Sequence, residues 1–453
     1  MTDSNLQLND SRSMYKEILK IGIPSILETL FTTFSSIINS RMVSSMGIAA
    51  ISAISVTNQP RLFVLSIFFA INTVVSSLVA RNLGKRDRLT ANRIFIVALT
   101  GTIVLGLIVS FACIFFAKPI MVVCSGQKDT MDDSILYFKI VMGGIIFNLV
   151  FMVINAAFRG CGKTGLTFSS NVISCLVNIG LNYVLIEGRF GAPALGIKGA
   201  GIATVAGTVV ACIVSVAFVF KEGSFISLSY DIKDRVQARY QDSDEFVRMW
   251  KRVLVENILT RVGFLITSII VARIGSFEMS VYSVGMNLMN INFALGSGLQ
   301  TSSVALIGRS LGEGAPEKIK QYSGKILKAG IISAIGLSVL FVIFAKPYYS
   351  FFAKDEAEFI SVGIKCCYII AAVSPIQTCQ IIYNGLLQGI GDMKFTMIAA
   401  VISVTIVNTL ATFLFTIVLG LGIWGVWIGV FCSQLTRVVM LRSRWSKEDV
   451  LKL

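Results

Sequence analysis

The chain has 453 residues, 55% of them hydrophobic and only 14% charged, with a formal net charge of +15 and a mean hydropathy of +0.77. Soluble domains carry about 25% charged residues, so this balance excludes an ordinary soluble enzyme and points to a polytopic membrane protein. The sequence contains no His; without the commonest general base and metal ligand, membrane hydrolases and metalloenzymes are poor readings, and neither a catalytic residue nor a metal site is predicted.

Residues 1–13 read as a polar tail with no cleavable signal peptide. Twelve apolar spans follow, over residues 16–42, 50–80, 94–116, 135–158, 165–187, 197–220, 248–273, 279–307, 324–345, 361–387, 394–419 and 422–441. Most exceed the ~20 residues that cross a bilayer. Six fall within 14–220 and six within 247–441. Between the two sets, the stretch 221–246 carries six acids and four bases and reads as a cytoplasmic linker. Residues 442–453 form a basic tail. The nine Cys are scattered with no CxxC pair, as expected of small apolar packing residues rather than a disulfide or zinc framework.

The two sets share local signatures. Phe116-Ala117-Lys118-Pro119 returns as Phe344-Ala345-Lys346-Pro347, and Arg81-x-Leu83-Gly84 as Arg309-x-Leu311-Gly312. Gly160-x-Gly162 returns as Gly389-x-Gly391, and Leu195-Gly196-Ile197-x-Gly199 as Leu421-Gly422-Ile423-x-Gly425. The offsets are 228, 228, 229 and 226. Repeats at nearly one offset imply a duplicated six-pass unit. An even number of passes inserts both copies in the same sense. The expected fold is an all-α membrane protein with twelve transmembrane helices in two six-helix bundles. The bundles should be related by a pseudo-two-fold axis along the membrane normal, as in a transporter with its cavity between them.

With both termini placed inside, the inner segments hold 28 of the 40 Lys and Arg and the outer ones ten, leaving Arg61 and Arg261 within spans. That bias predicts cytoplasmic termini in a cell membrane, the inner or plasma membrane of a prokaryote. The basic residues are dispersed over many loops, so no nucleic-acid partner is expected. Membrane lipid and small organic substrates are the expected partners, with a monomer as the default.

Few polar groups lie inside the spans, and each needs a partner or a wet cavity. Glu28 lies on the first span, about 20 Å along the helix from Tyr15 at about 1.5 Å per residue. Glu256 lies on the seventh, 228 residues on, and each precedes a glycine (Gly47, Gly275) by 19. They are equivalent positions, and each is either a proton or cation site or a hydrogen-bonded lock between helices. Arg261, roughly one turn beyond Glu256, reads as its structural partner. The first half also holds an amide set: Asn39, Asn155, the pair Asn178 and Asn182 on one helix face, Thr204, and Asn58-Gln59-Pro60-Arg61, where Pro60 allows a bend. Singly such residues are helix–helix glue; together they read equally as a cavity lining. Met286, Asn287, Gln377 and Tyr383 are the second-half candidates for that lining.

With these residues in place, the chain resembles the multidrug and toxic compound extrusion (MATE) family of secondary transporters over about residues 14–441. The resemblance rests on Met46-Gly47, Arg81 to Lys85, Phe158 to Thr164, Asn178 to Asn182, Leu195 to Thr204 and the second-half echo Leu387 to Asp392. It implies two six-helix bundles in a V, rocking between inward- and outward-open states, and export of amphipathic, often cationic compounds for H⁺ or Na⁺, with no other cofactor. In many members an Asp on the first span and another on the fifth carry the coupling ion; those places here hold Asn39 and Asn182. An amide does not release a proton in this pH range. Another branch uses a Glu on the seventh span with an Asp on the tenth. Glu256 stands about one turn early for that pattern, and the tenth span has no acid before Asp392. The coupling candidates are therefore Glu28, Glu256, Asn39, Asn178 and Asn182.

The expected function is a cation-coupled exporter working by alternating access. The alternative is a lipid-linked oligosaccharide flippase of the same superfamily, disfavoured by the small number of arginines near the membrane region. A membrane-embedded transferase or a receptor gives the repeat no role.

Overall fold

The computed structural model describes residues 3–46, 48–124, 130–221, 224–228, 240–352 and 356–447. Gly47 and much of the linker 221–246 lie outside them. The described residues are helical almost throughout, because a backbone in hydrocarbon must satisfy its own hydrogen bonds. The helices are α1 (Asp3–Ser44), α2 (Ile48–Gly84), α3 (Arg88–Phe115), α4 (Ala117–Cys124), α5 (Met131–Gly143), α6 (Ile145–Gly160), α7 (Thr164–Leu185) and α8 (Gly196–Phe220). Then come α9 (Tyr240–Ile274), α10 (Ser276–Gly312), α11 (Pro316–Phe352), α12 (Ala357–Ile390), α13 (Met393–Ala400), α14 (Asn408–Phe413) and α15 (Ile423–Trp445). π-helical turns at Val401–Val407 and Leu414–Val418 join α13 and α14 into one rod that ends at 418.

Ten described helices are long and apolar enough to cross a membrane, and α5 with α6, bent by 46°, makes an eleventh span. The remaining predicted span is α10, which has 37 residues but is interrupted by Asn287, Asn290, Asn292 and Gln300. The expected polar tail 1–13 is helical from Asp3, and the basic tail from 442 continues α15 to Trp445.

The chain divides into two compact units, residues 27–250 and residues 1–26 with 251–453. One boundary falls inside α9, after Trp250 and just past the linker, and the other inside α1, after Ile26. Small residues explain the membership of its first half. A Cβ on Gly298 of α10 would lie 2.8 Å from the Gly22 carbonyl oxygen, and Ser302 Oγ donates to the Ile18 carbonyl at 3.1 Å. Two helices can approach this closely only where side chains are absent.

The repeated Gly-x-Gly motif has a mechanical reason. A Cβ on Gly160 would sit 2.6 Å from the Ser76 carbonyl oxygen of α2, and one on Gly389 would sit 3.1 Å from Ile307 Cβ and 3.3 Å from the Ser303 carbonyl oxygen of α10. Two residues on, Gly162 (φ +71°) and Gly391 (φ +90°) take the left-handed conformation that ends α6 and α12. Asp392 then caps α13, accepting from Phe395 N at 3.2 Å. Side-chain bonds repeat as well. Ser110 Oγ donates to the Met142 carbonyl at 2.7 Å in one unit, and Ser338 Oγ to the Ala371 carbonyl at 2.8 Å in the other.

In unit 27–250 the described start of the linker is clamped rather than free. Arg88 donates to the carbonyls of Ser224 and Phe225, and Asn92 bonds both Phe225 O and Ser227 N.

Candidate functional site

Glu28 is 6% exposed and both of its carboxylate oxygens are hydrogen-bonded. Its Oε1 accepts from Arg159 Nη2 at the end of α6 and from Asn171 Nδ2 of α7, both at 2.5 Å. Its Oε2 accepts from Thr167 Oγ1 of α7 at 3.0 Å. Glu256 on α9 is held in a related way. Oε2 accepts from Thr396 Oγ1 of α13 at 3.0 Å, and Oε1 from Arg437 Nη2 of α15 at 2.9 Å. Thr167 and Thr396 are 229 residues apart, the offset of the glycine motif just before them. The carboxylate–hydroxyl pair is thus duplicated, while the guanidinium reaches it from a different helix in each unit.

Arg437, not Arg261, is the ion-pair partner of Glu256. Five residues of helix at about 100° each turn Arg261 about 140° away from Glu256, onto another face. Asn171, Thr167, Thr396 and Arg437 were not singled out from sequence. The 229-residue spacing of the two threonines was a usable signal; nothing local marks Arg437.

Unit 27–250 holds a half-open cavity of 370 Å³ between α1, α2, α5, α6, α7 and α8. Its wall gathers Asn39, Asn58, Asn178, Asn182 and Thr204 from the predicted set, joined by Asn148, Asn171, Tyr137, Phe151 and a row of Ser and Thr hydroxyls. Asn39 Nδ2 donates to Asn178 Oδ1 at 2.6 Å, and Asn182 Nδ2 to Asn39 Oδ1 at 2.9 Å. Asn182 Oδ1 is buried and has no hydrogen-bond partner among the described residues. The lining contains one ionised side chain, Arg61, and no Asp, Glu or Lys. Glu28 stands one residue behind the wall, reached through Asn171.

The other predicted residues lie elsewhere. Gln59 is exposed and outside the lining. Asn155 is buried and accepts from Ser215 Oγ at 3.5 Å. In the second unit, Gln377 Oε1 accepts from Asn292 Nδ2 at 2.6 Å. Met286 packs at the edge of the core around Trp427, and Tyr383 beside that around Leu386. Asn287 is exposed. The four are not brought together into one described cavity.

The amide triad has a reduced counterpart in the second unit, where Asn408 Nδ2 donates to Thr267 Oγ1 at 2.8 Å. Thr267 follows Asn39 by 228, but Asn408 follows Asn178 by 230. The extra residue beyond the 229 of Thr167 and Thr396 falls in the π-helical turn Val401–Val407, which accommodates a one-residue insertion while keeping Asn408 aimed at its partner. Among the described residues no cluster of His, Cys, Asp or Glu could hold a metal ion.

A multi-pass helical membrane protein with a duplicated architecture and a polar cavity inside one unit is built as a membrane transporter. The chain belongs to the MatE family, whose model matches residues 24–184 and 253–422. It is 23% identical to a probable multidrug resistance protein NorM of Thermotoga maritima, covering 96% of this chain and 94% of that one. It is 22% identical to an uncharacterized transporter, YisQ, of Bacillus subtilis over 93% and 92%. Among solved structures, an outward-facing MATE transporter matches with a TM-score of 0.88 at 17% identity, covering 96% of both chains. A MOP superfamily transporter from Pyrococcus furiosus, described as having a binding pocket of reversed polarity, matches with 0.89 at 17% identity over 97% of both chains.

Proposed function

We propose that the chain is a secondary active efflux transporter of a prokaryotic inner membrane, with both termini cytoplasmic. It exports amphipathic organic compounds in exchange for H⁺ or Na⁺ by alternating access. The observation that carries this reading is the amide- and hydroxyl-lined cavity inside a membrane-spanning unit, walled by the repeat residues of α1, α7 and α8. The relatives named multidrug resistance proteins support it. The candidate coupling groups remain Glu28 and Glu256. Because each is held by a guanidinium, coupling there requires the ion pair to open in one state of the cycle, so that H⁺ or Na⁺ takes the guanidinium's place. Differential affinity of the two states for that cation is what makes exchange possible.

The test is efflux of two amphipathic dyes of opposite charge, dansylcadaverine and dansylglycine, from proteoliposomes under a pH or a sodium gradient imposed one at a time. Gradient-stimulated efflux of either dye, above protein-free liposomes, is the expected result. Efflux of both dyes that ignores both gradients removes the exchange reading.

A further inference from the structure

The wall of the cavity in unit 27–250 carries a charge at a single residue. Its amides and hydroxyls offer both donors and acceptors, so they bind polar groups of either sign. Arg61 is the one ionised side chain in the wall. The arginines of the two buried carboxylate sites are neutralised, Arg159 by Glu28 and Arg437 by Glu256, and Arg81 at the end of α2 pairs with Glu245. Arg61 has no carboxylate at ion-pair distance among the described residues. Asn58, three residues before it on the same face of α2, also lines the cavity. A guanidinium facing a cavity within a membrane span calls for a counter-charge, and its planar fork suits a carboxylate or sulfonate.

We propose that this cavity is a site for amphipathic organic anions: a carboxylate or sulfonate meets Arg61, while the amides and hydroxyls of the wall take the rest of the polar surface. The proposal rests on the exporter reading for the direction of movement, but not for binding.

The experiment is equilibrium dialysis of dansylglycine and dansylcadaverine against the purified full chain in detergent. The two probes share a fluorophore and a sulfonamide N–H and differ in the sign of their charge. The wild type is expected to bind dansylglycine at least about ten-fold more tightly, the size of one charge-assisted hydrogen bond. Arg61→Gln should remove that preference while leaving dansylcadaverine binding in place, and Arg61→Lys should keep most of it. Equal binding of the two probes by the wild type, or a dansylglycine preference that survives Arg61→Gln, overturns the proposal. Gradient-driven efflux of dansylcadaverine alone, with no Arg61-dependent anion binding, would sink the anion site and leave the exporter reading standing. Arg61-dependent binding without gradient-driven efflux of either dye does the reverse.

Discussion

Replacing Glu256 by Gln should destabilise the chain much more than replacing Glu28 by Gln, although the two are repeat equivalents. In the Glu256–Arg437 pair the side chains are 6% and 11% exposed, and Arg437 Nε has no hydrogen-bond partner among the described residues. Glutamine leaves that guanidinium buried without a counter-charge, and breaking a buried pair in this way costs about 3–5 kcal/mol. In the Glu28–Arg159 pair Arg159 is 33% exposed, so water takes over part of the lost interaction and the loss falls to about 1–2 kcal/mol. The assay is denaturant-induced unfolding of the purified chain in detergent micelles, for Glu256→Gln, Arg437→Gln and the double variant, with Glu28→Gln beside them. The double variant should be more stable than the sum of the singles implies, with a coupling energy of at least about 2 kcal/mol. Additive single effects, or a Glu28→Gln variant as unstable as Glu256→Gln, would refute the burial argument.

Three further outcomes are expected. Gly160→Ala should destabilise the first unit, because its Cβ would meet the Ser76 backbone at 2.6 Å, whereas Gly180→Ala, with nothing within 4 Å, should be neutral or stabilising by up to about 1 kcal/mol; thermal unfolding of both variants checks the ordering. Thr267→Val leaves Asn408 Nδ2, buried with Thr267 in the second unit, without its acceptor, whereas after Asn39→Leu the cavity-lining Asn178 and Asn182 keep their bond to each other at 3.4 Å. At about 1–3 kcal/mol per buried group left unpaired, Thr267→Val should cost more, and equal melting temperatures would contradict it. At the end of α10, Lys318 donates to the Glu313 carboxyl, which with Arg309 nearby holds it below the usual carboxylate range despite partial burial. A depressed carboxyl stabilises the fold above its unfolded value of about 4.3 and loses that contribution as pH falls through its folded value. Unfolding between pH 7 and pH 3 should therefore show a wild-type loss, below about 1 kcal/mol for so exposed a cluster, that Glu313→Gln lacks.

Sequence alone determined the class of fold and its duplication. Apolar length sets the number of crossings, because lipid offers the backbone no hydrogen bonds. Repeated glycines mark close approaches and turns that no other residue fills, which is why Gly160-x-Gly162 and Gly389-x-Gly391 could be read as equivalents before any contact was known. The equivalence of Glu28 and Glu256 was legible for the same reason. Tertiary structure alone decided what those carboxylates touch. Arg437 lies 181 residues from Glu256, and an ion pair closed over that distance leaves no periodic trace. It also decided that α1 divides between the two units, since the Gly22 contact with Gly298 depends on how two helices cross and not on either sequence. Periodicity put Asn178 and Asn182 on one face, but packing alone brought Asn39 and Arg61 around the same cavity.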